Sequence, residues 1–205
     1  MPQEEQSVRK IAQHVGTLEE AHEVKQAVSW TFPQSDGWPF PVFLGSCGRL
    51  VFETYMGAPL SSFEGTDWLT RASLAEQLLG IAQQLTDNPT GFALYLTDVS
   101  MDNFAVSEQG TVTVVDVENI IIVDRFQLVQ ERKLGWNRRA EHLLDACHDC
   151  LSFESAELCS HYTTDHNFCR VVLPLHDRPQ LLRHLQWPTS SSSLFIIWGT
   201  ATFHT

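Results

Sequence analysis

Two short apolar runs each lead into a carboxylate, and an amide lies between them. Ala93-Leu-Tyr-Leu96 passes through Thr97 to Asp98, and Val112-Thr-Val-Val115 runs directly into Asp116. Asn103 stands five positions after Asp98 and thirteen before Asp116. Apolar, β-branched and aromatic runs of this length read as strands. The expectation is a small ribbon that carries Asp98, Asn103 and Asp116 at one end. An ordinary β-hairpin with acidic turn residues also fits, because Asp and Asn bond their own backbone in turns.

The trio suits metal-assisted phosphoryl transfer, which depends on positioning and charge neutralisation around a divalent cation. Asp98 is the candidate catalytic group that orients or accepts the proton of an attacking hydroxyl. The Asn103 amide oxygen and the Asp116 carboxylate are the candidate ligands for Mg²⁺ or Mn²⁺ and, through it, ATP. Order and spacing match the Asp-x-x-x-x-Asn loop of protein kinases and the metal-binding Asp that follows it. Upstream, Asp67 to Leu85 sets Leu69, Ala72, Leu74, Ala75, Leu78, Leu79, Ala82 and Leu85 at helical spacing, where kinases place a helix before this loop. Further upstream, Phe40 to Tyr55 reads as two short strands around a glycine turn, and Met56-Gly-Ala-Pro59 as a break at the position of a kinase hinge.

These segments together are dense enough to carry a family resemblance. Trp38-Pro-Phe-Pro41, Leu44-Gly-Ser-Cys-Gly-Arg49, Ile81-Ala-Gln-Gln-Leu85, Phe92-Ala-Leu-Tyr-Leu96, Asp98-Val-Ser100, Asp102-Asn-Phe-Ala-Val106 and Val115-Asp-Val-Glu-Asn119 resemble the divergent protein kinase domain 2 group, within the family with sequence similarity 69, and lean toward its 2B branch. The resemblance extends from about Trp38 to Cys169. It implies an α+β, protein-kinase-like fold, with a mainly helical C-lobe and an incomplete N-lobe. It also implies a secretory-pathway setting, secreted or in the lumen of the Golgi or endoplasmic reticulum. Residues 1–55 would be a remnant of the N-lobe and hinge, 56–169 the C-lobe with the catalytic and metal loops, and 170–205 a divergent, poorly ordered tail.

Departures from a working kinase point away from catalysis. Leu96-Thr97 replaces the His-Arg that usually precedes the catalytic Asp, and Val117-Glu118 replaces the Phe-Gly that usually follows the metal-binding one. Glu118 adds negative charge beside Asp116, which either recruits another cation or discourages ATP. No G-x-G-x-x-G loop and no strand of the Val-Ala-Ile-Lys kind precedes Trp38. Glu4 to Val28 reads as a helix whose Glu19, Glu20 or Glu23 could be the helix glutamate that pairs with a kinase lysine, or simply a solvated acidic face. With no strand lysine, that pairing has nothing to act on. The expected function is a pseudokinase that binds an unknown protein partner or receptor. An active kinase using ATP with Mg²⁺ or Mn²⁺, and a truncated product without function of its own, are the alternatives.

A net charge of −12 argues against a nucleic-acid surface. No run of apolar residues is long enough for a transmembrane span, and Met1-Pro-Gln-Glu-Glu-Gln6 does not open a signal peptide. Cys147, Cys150, Cys159 and Cys169 crowd together while Cys47 stands alone. Such clustering fits disulfides in an oxidising compartment, buried thiols, or zinc held with His161 and His166.

Overall fold

The computed structural model describes residues 20–47, 50–140, 155–168 and 171. Helix α1 (Glu20–Thr31) leads through the aromatic segment Trp38 to Phe40 into an antiparallel hairpin, β1 (Phe43–Cys47) and β2 (Leu50–Glu53). Then follow β3 (Ala58–Pro59), the long α2 (Trp68–Thr86), β4 (Phe92–Tyr95), β5 (Phe104–Val106), β6 (Val112–Val114) and β7 (Ile121–Asp124). The described chain closes with α3 (Arg125–Glu131), β8 (Arg139–Ala140), α4 (Ser155–Ser160) and β9 (Thr163–Thr164). Helices beside small, mostly antiparallel sheets agree with the α+β expectation.

Helix α2 starts one residue after the predicted point because Asp67 is its cap. The Asp67 carboxylate accepts from the Leu69 and Thr70 amides at 3.0 and 3.1 Å and from the Thr70 hydroxyl at 2.5 Å. Those bonds hold its carboxyl below the usual range. At the other end the Asn88 side-chain amide donates to the Gln84 carbonyl at 3.0 Å. Leu74, Leu78, Ile81, Ala82 and Leu85 face the core, but the predicted stripe is too wide, since Leu69 and Leu79 are exposed.

The strand pairing corrects the expected ribbon. β4 and β6, the runs that precede Asp98 and Asp116, lie in different sheets: β4 pairs with β7, and β6 with β5 in the order β3-β5-β6. All four residues of β4 are buried, so it needs an equally apolar partner, and the Ile121 to Val123 run supplies one. The segment from Thr97 to Asn103 then turns into β5, which meets β6 across the tight turn at Gly110. Around these sheets sits a core of Val28, Phe32, Trp38, Phe40, Leu85, Leu94 and Val114. Phe32 meets Trp38 edge-on at 4.7 Å between ring centroids, and the Pro39 carbonyl accepts from the Val114 amide at 2.8 Å. At the expected hinge, Gly57 has φ 118°, and a Cβ there would fall 2.0 Å from the Val106 carbonyl oxygen. Only glycine fits that approach of two backbones.

Candidate functional site

The loop that carries Asp98 is fixed from behind. The Leu96 amide donates to the Asn167 side-chain oxygen at 3.0 Å, and the Leu96 carbonyl is 2.8 Å from His166 Nε2. Asn167 also donates to the Leu94 carbonyl and the Thr86 hydroxyl, both at 2.9 Å, so one buried amide joins α2, β4 and the loop. The Thr97 hydroxyl reaches forward to the Asn119 carbonyl at 2.5 Å. Asp98 itself is exposed.

Asn103 ends one turn of tight helix over Met101–Asn103, with Met101 buried beneath it. Its side-chain amide donates to the Asp98 carbonyl at 3.2 Å, and its own carbonyl accepts from the Val115 amide at 2.9 Å. These two bonds link the Asp98 loop to the segment that delivers Asp116. Asp116 Oδ1 accepts from the Glu118 amide at 3.3 Å. The hydrogen bonds thus tie the backbone at Asp98 and at Val115 to Asn103, although the strands before Asp98 and Asp116 belong to separate sheets.

A lysine that sequence reasoning passed over meets Asp116 there. Lys25, on α1, has a side chain only 10% exposed, and its Nζ lies 3.4 Å from Glu118 Oε1, 3.7 Å from Glu53 Oε2 and 3.9 Å from Asp116 Oδ1. Glu118 is thus ion-paired with Lys25. No strand lysine meets a glutamate of α1 among the described residues; instead α1 contributes the lysine itself, and Glu23 is exposed. Burial pushes the Glu53 carboxyl above its ordinary range; the Lys25 ammonium pulls it down, Asp116 and Glu118 push it up, and the net direction is upward. A lone Lys among Glu residues on a helix looks solvated, so its sequence carried no signal of burial.

Among the described residues no group of three or more His, Cys, Asp or Glu side chains could cage a metal ion. Mg²⁺ does not require such a cage, since it is commonly held by one or two carboxylates together with substrate phosphates. Asp116 and Asn103 are oxygen donors of that kind, and both contacts to Asp116 fall on Oδ1. Cys47 and Cys159 carry free thiols. Of the disulfide candidates besides Cys159, all three, Cys147, Cys150 and Cys169, lie outside the described residues. His166, a zinc candidate in the sequence, is buried behind the Asp98 loop.

The family profile described as the protein-kinase domain of FAM69 matches residues 20–192. This chain belongs to that family. The FAM69 match passes both limits set by the motifs alone, Trp38 and Cys169. Divergent protein kinase domain 2A of Xenopus tropicalis and that of Homo sapiens are each 42% identical over 167 residues, which is 80% of this chain and 38% of the relative. Divergent protein kinase domain 2B of Bos taurus is 37% identical over 94 residues, 46% of this chain and 22% of the relative. The FAM69 likeness thus runs at higher identity, and over more of the chain, to these 2A relatives than to the 2B one, where the motifs leaned toward 2B. The chain spans well under half the length of the 2A relatives. No helix among the described residues is long and apolar enough to cross a membrane.

Proposed function

We propose that this FAM69 chain holds the base-and-metal part of a divergent phosphoryl-transfer site. Asp98 orients the acceptor hydroxyl and takes its proton, while Asn103 and Asp116 hold Mg²⁺ or Mn²⁺ with ATP. The bound metal–nucleotide would supply the phosphoryl group and neutralise the charge that develops on it. The observation that carries this reading is the bonded path from Asp98 through Asn103 to Val115, next to Asp116. Its anchors, Asn167 and His166, keep the base-bearing loop in place without the usual His-Arg pair. The family resemblance supports a lumenal or secreted setting and a protein or glycan hydroxyl as acceptor.

A specific observation favours the pseudokinase reading as the second one. Three carboxylates surround one ammonium, so the cluster keeps net negative charge where phosphates would have to arrive. A domain of this kind would act through its surface on a protein partner or receptor.

Thermal unfolding of the chain with ATP and Mg²⁺ or Mn²⁺, beside an Asp116→Ala control, separates the two, because a ligand bound only by the folded state raises the melting temperature. A rise that disappears in the control supports the phosphoryl-transfer site. A cooperative transition that ATP does not move supports the pseudokinase. Given binding, Asp98→Ala should spare the shift and abolish phosphate transfer; unaltered transfer would remove Asp98 from the role of base.

A further inference from the structure

We infer that Lys25 is the phosphate-contacting lysine of this site, carried on a helix, with Glu53 on a strand as its resting partner. The inference rests on the nucleotide reading above. Protein kinases usually place the lysine on a strand and its glutamate on a helix; here the polarity of the pair is reversed. Lys25 sits on α1 and Glu53 on β2, 3.7 Å apart.

Three observations carry the assignment. First, the Lys25 ammonium is nearly buried yet has no short bond to any of its carboxylates, with separations of 3.4 to 3.9 Å. Charge-assisted N–H···O bonds close to about 2.7–2.9 Å. An ammonium with three donors, shared loosely among three acceptors, retains the capacity to bond an incoming phosphate oxygen. Second, one of those acceptors is Asp116, the proposed metal ligand, so the cation faces the group that would bring the phosphates in. Third, the chain has three lysines, Lys10, Lys25 and Lys133. Lys133 is exposed and paired with Glu131 at 2.8 Å, and Lys10 lies outside the described residues. No other Lys or Arg among the described residues forms an ion pair with Asp116.

The competing role for Lys25 is a purely structural clamp that joins α1 to β2 and the Asp116 loop. The two roles differ in what a nucleotide does to the lysine. An acyl-phosphate derivative of ATP transfers its acyl group to a nearby lysine amine, forming an amide and releasing the nucleotide, and peptide mass spectrometry then identifies the lysine. With Mn²⁺ present and the full chain folded, Lys25 should be the main site of labelling. Excess ATP should suppress it about tenfold or more, and adenosine should not, since the contact is to charged phosphate. Labelling confined to Lys10 or Lys133, while ATP still raises the melting temperature, would overturn the assignment. Lys25→Met, alone and with Glu53→Gln to relieve the unpaired acid, gives the second readout. Whichever of the two melts cooperatively should lose the ATP shift. A retained shift would leave Lys25 as the clamp alone. If ATP and metal leave the wild-type chain unmoved and unlabelled, the nucleotide site itself fails, and this assignment with it.

Discussion

Strand β4 and the β1–β2 hairpin are built from similar apolar residues, yet they live in opposite environments. Every residue of β4 is buried, paired by β7 and packed against α2. In the hairpin, Leu44, Leu50 and Phe52 are exposed, and α1 is the helix packed against β1. The candidate site crosses this divide. Asp98, Asn103 and Asp116 follow from the strands of the buried side, whereas Lys25 and Glu53 come from α1 and the hairpin. Elements with few buried apolar contacts open at lower free energy than the core. The metal-and-base half therefore stands on the firmer ground and Glu53, on the hairpin, on the looser, while Lys25 shares its helix with the buried Val24 and Val28.

The largest break in that comparison should come from Asn167→Leu. It leaves the Leu96 amide, the Leu94 carbonyl and the Thr86 hydroxyl without this partner. At roughly 1–3 kcal/mol for each buried polar group left unpaired, the loss is about 4 kcal/mol, measurable by denaturant unfolding. Leu85→Ala in the same core, where Leu85 is wholly buried, should cost about 3 kcal/mol by the same assay. On the hairpin side the sign should reverse. The raised Glu53 carboxyl makes its neutral form the one the fold prefers, so its contribution is fully present below the ordinary value of 4.5 and is lost as pH rises through the folded value. Glu53→Gln should consequently raise the melting temperature at neutral pH, with the gain shrinking as the pH approaches 4.5. A melting curve that falls instead would mean that attraction to Lys25 outweighs burial. The smallest effect belongs to Phe52→Ser, whose change in stability should stay within about 0.5 kcal/mol. A larger loss would show that the exposed hairpin is covered in solution.

What the sequence revealed, and what it hid, follows the range of the interactions. Helix α2 was legible because its apolar period is local, and the Asp98 to Asn103 spacing is a local pattern of the same kind. The β1–β2 hairpin was legible for the same reason, from its two short apolar runs. The partner of β4 was not: β6 and β7 are both β-branched runs downstream, and only the requirement to cover a strand buried on both faces selects β7. Lys25 was hidden more deeply. On its own helix it is one charge among several, and its burial arises from β2 and the Asp116 loop, distant in sequence. The roles of His166, marked in the sequence only as a zinc candidate, and of Asn167 were hidden too, since the Leu96 groups they meet lie about 70 residues back.

That last separation orders events in time. Contacts between residues far apart along the chain must await the closure of the intervening segment. During synthesis from the N-terminus, Lys25, Glu53, Asp98, Asn103 and Asp116 all emerge before Asn167 does. The nascent chain thus possesses every charged group of the site while the backbone at Leu96 still lacks its partner, an uncharged amide.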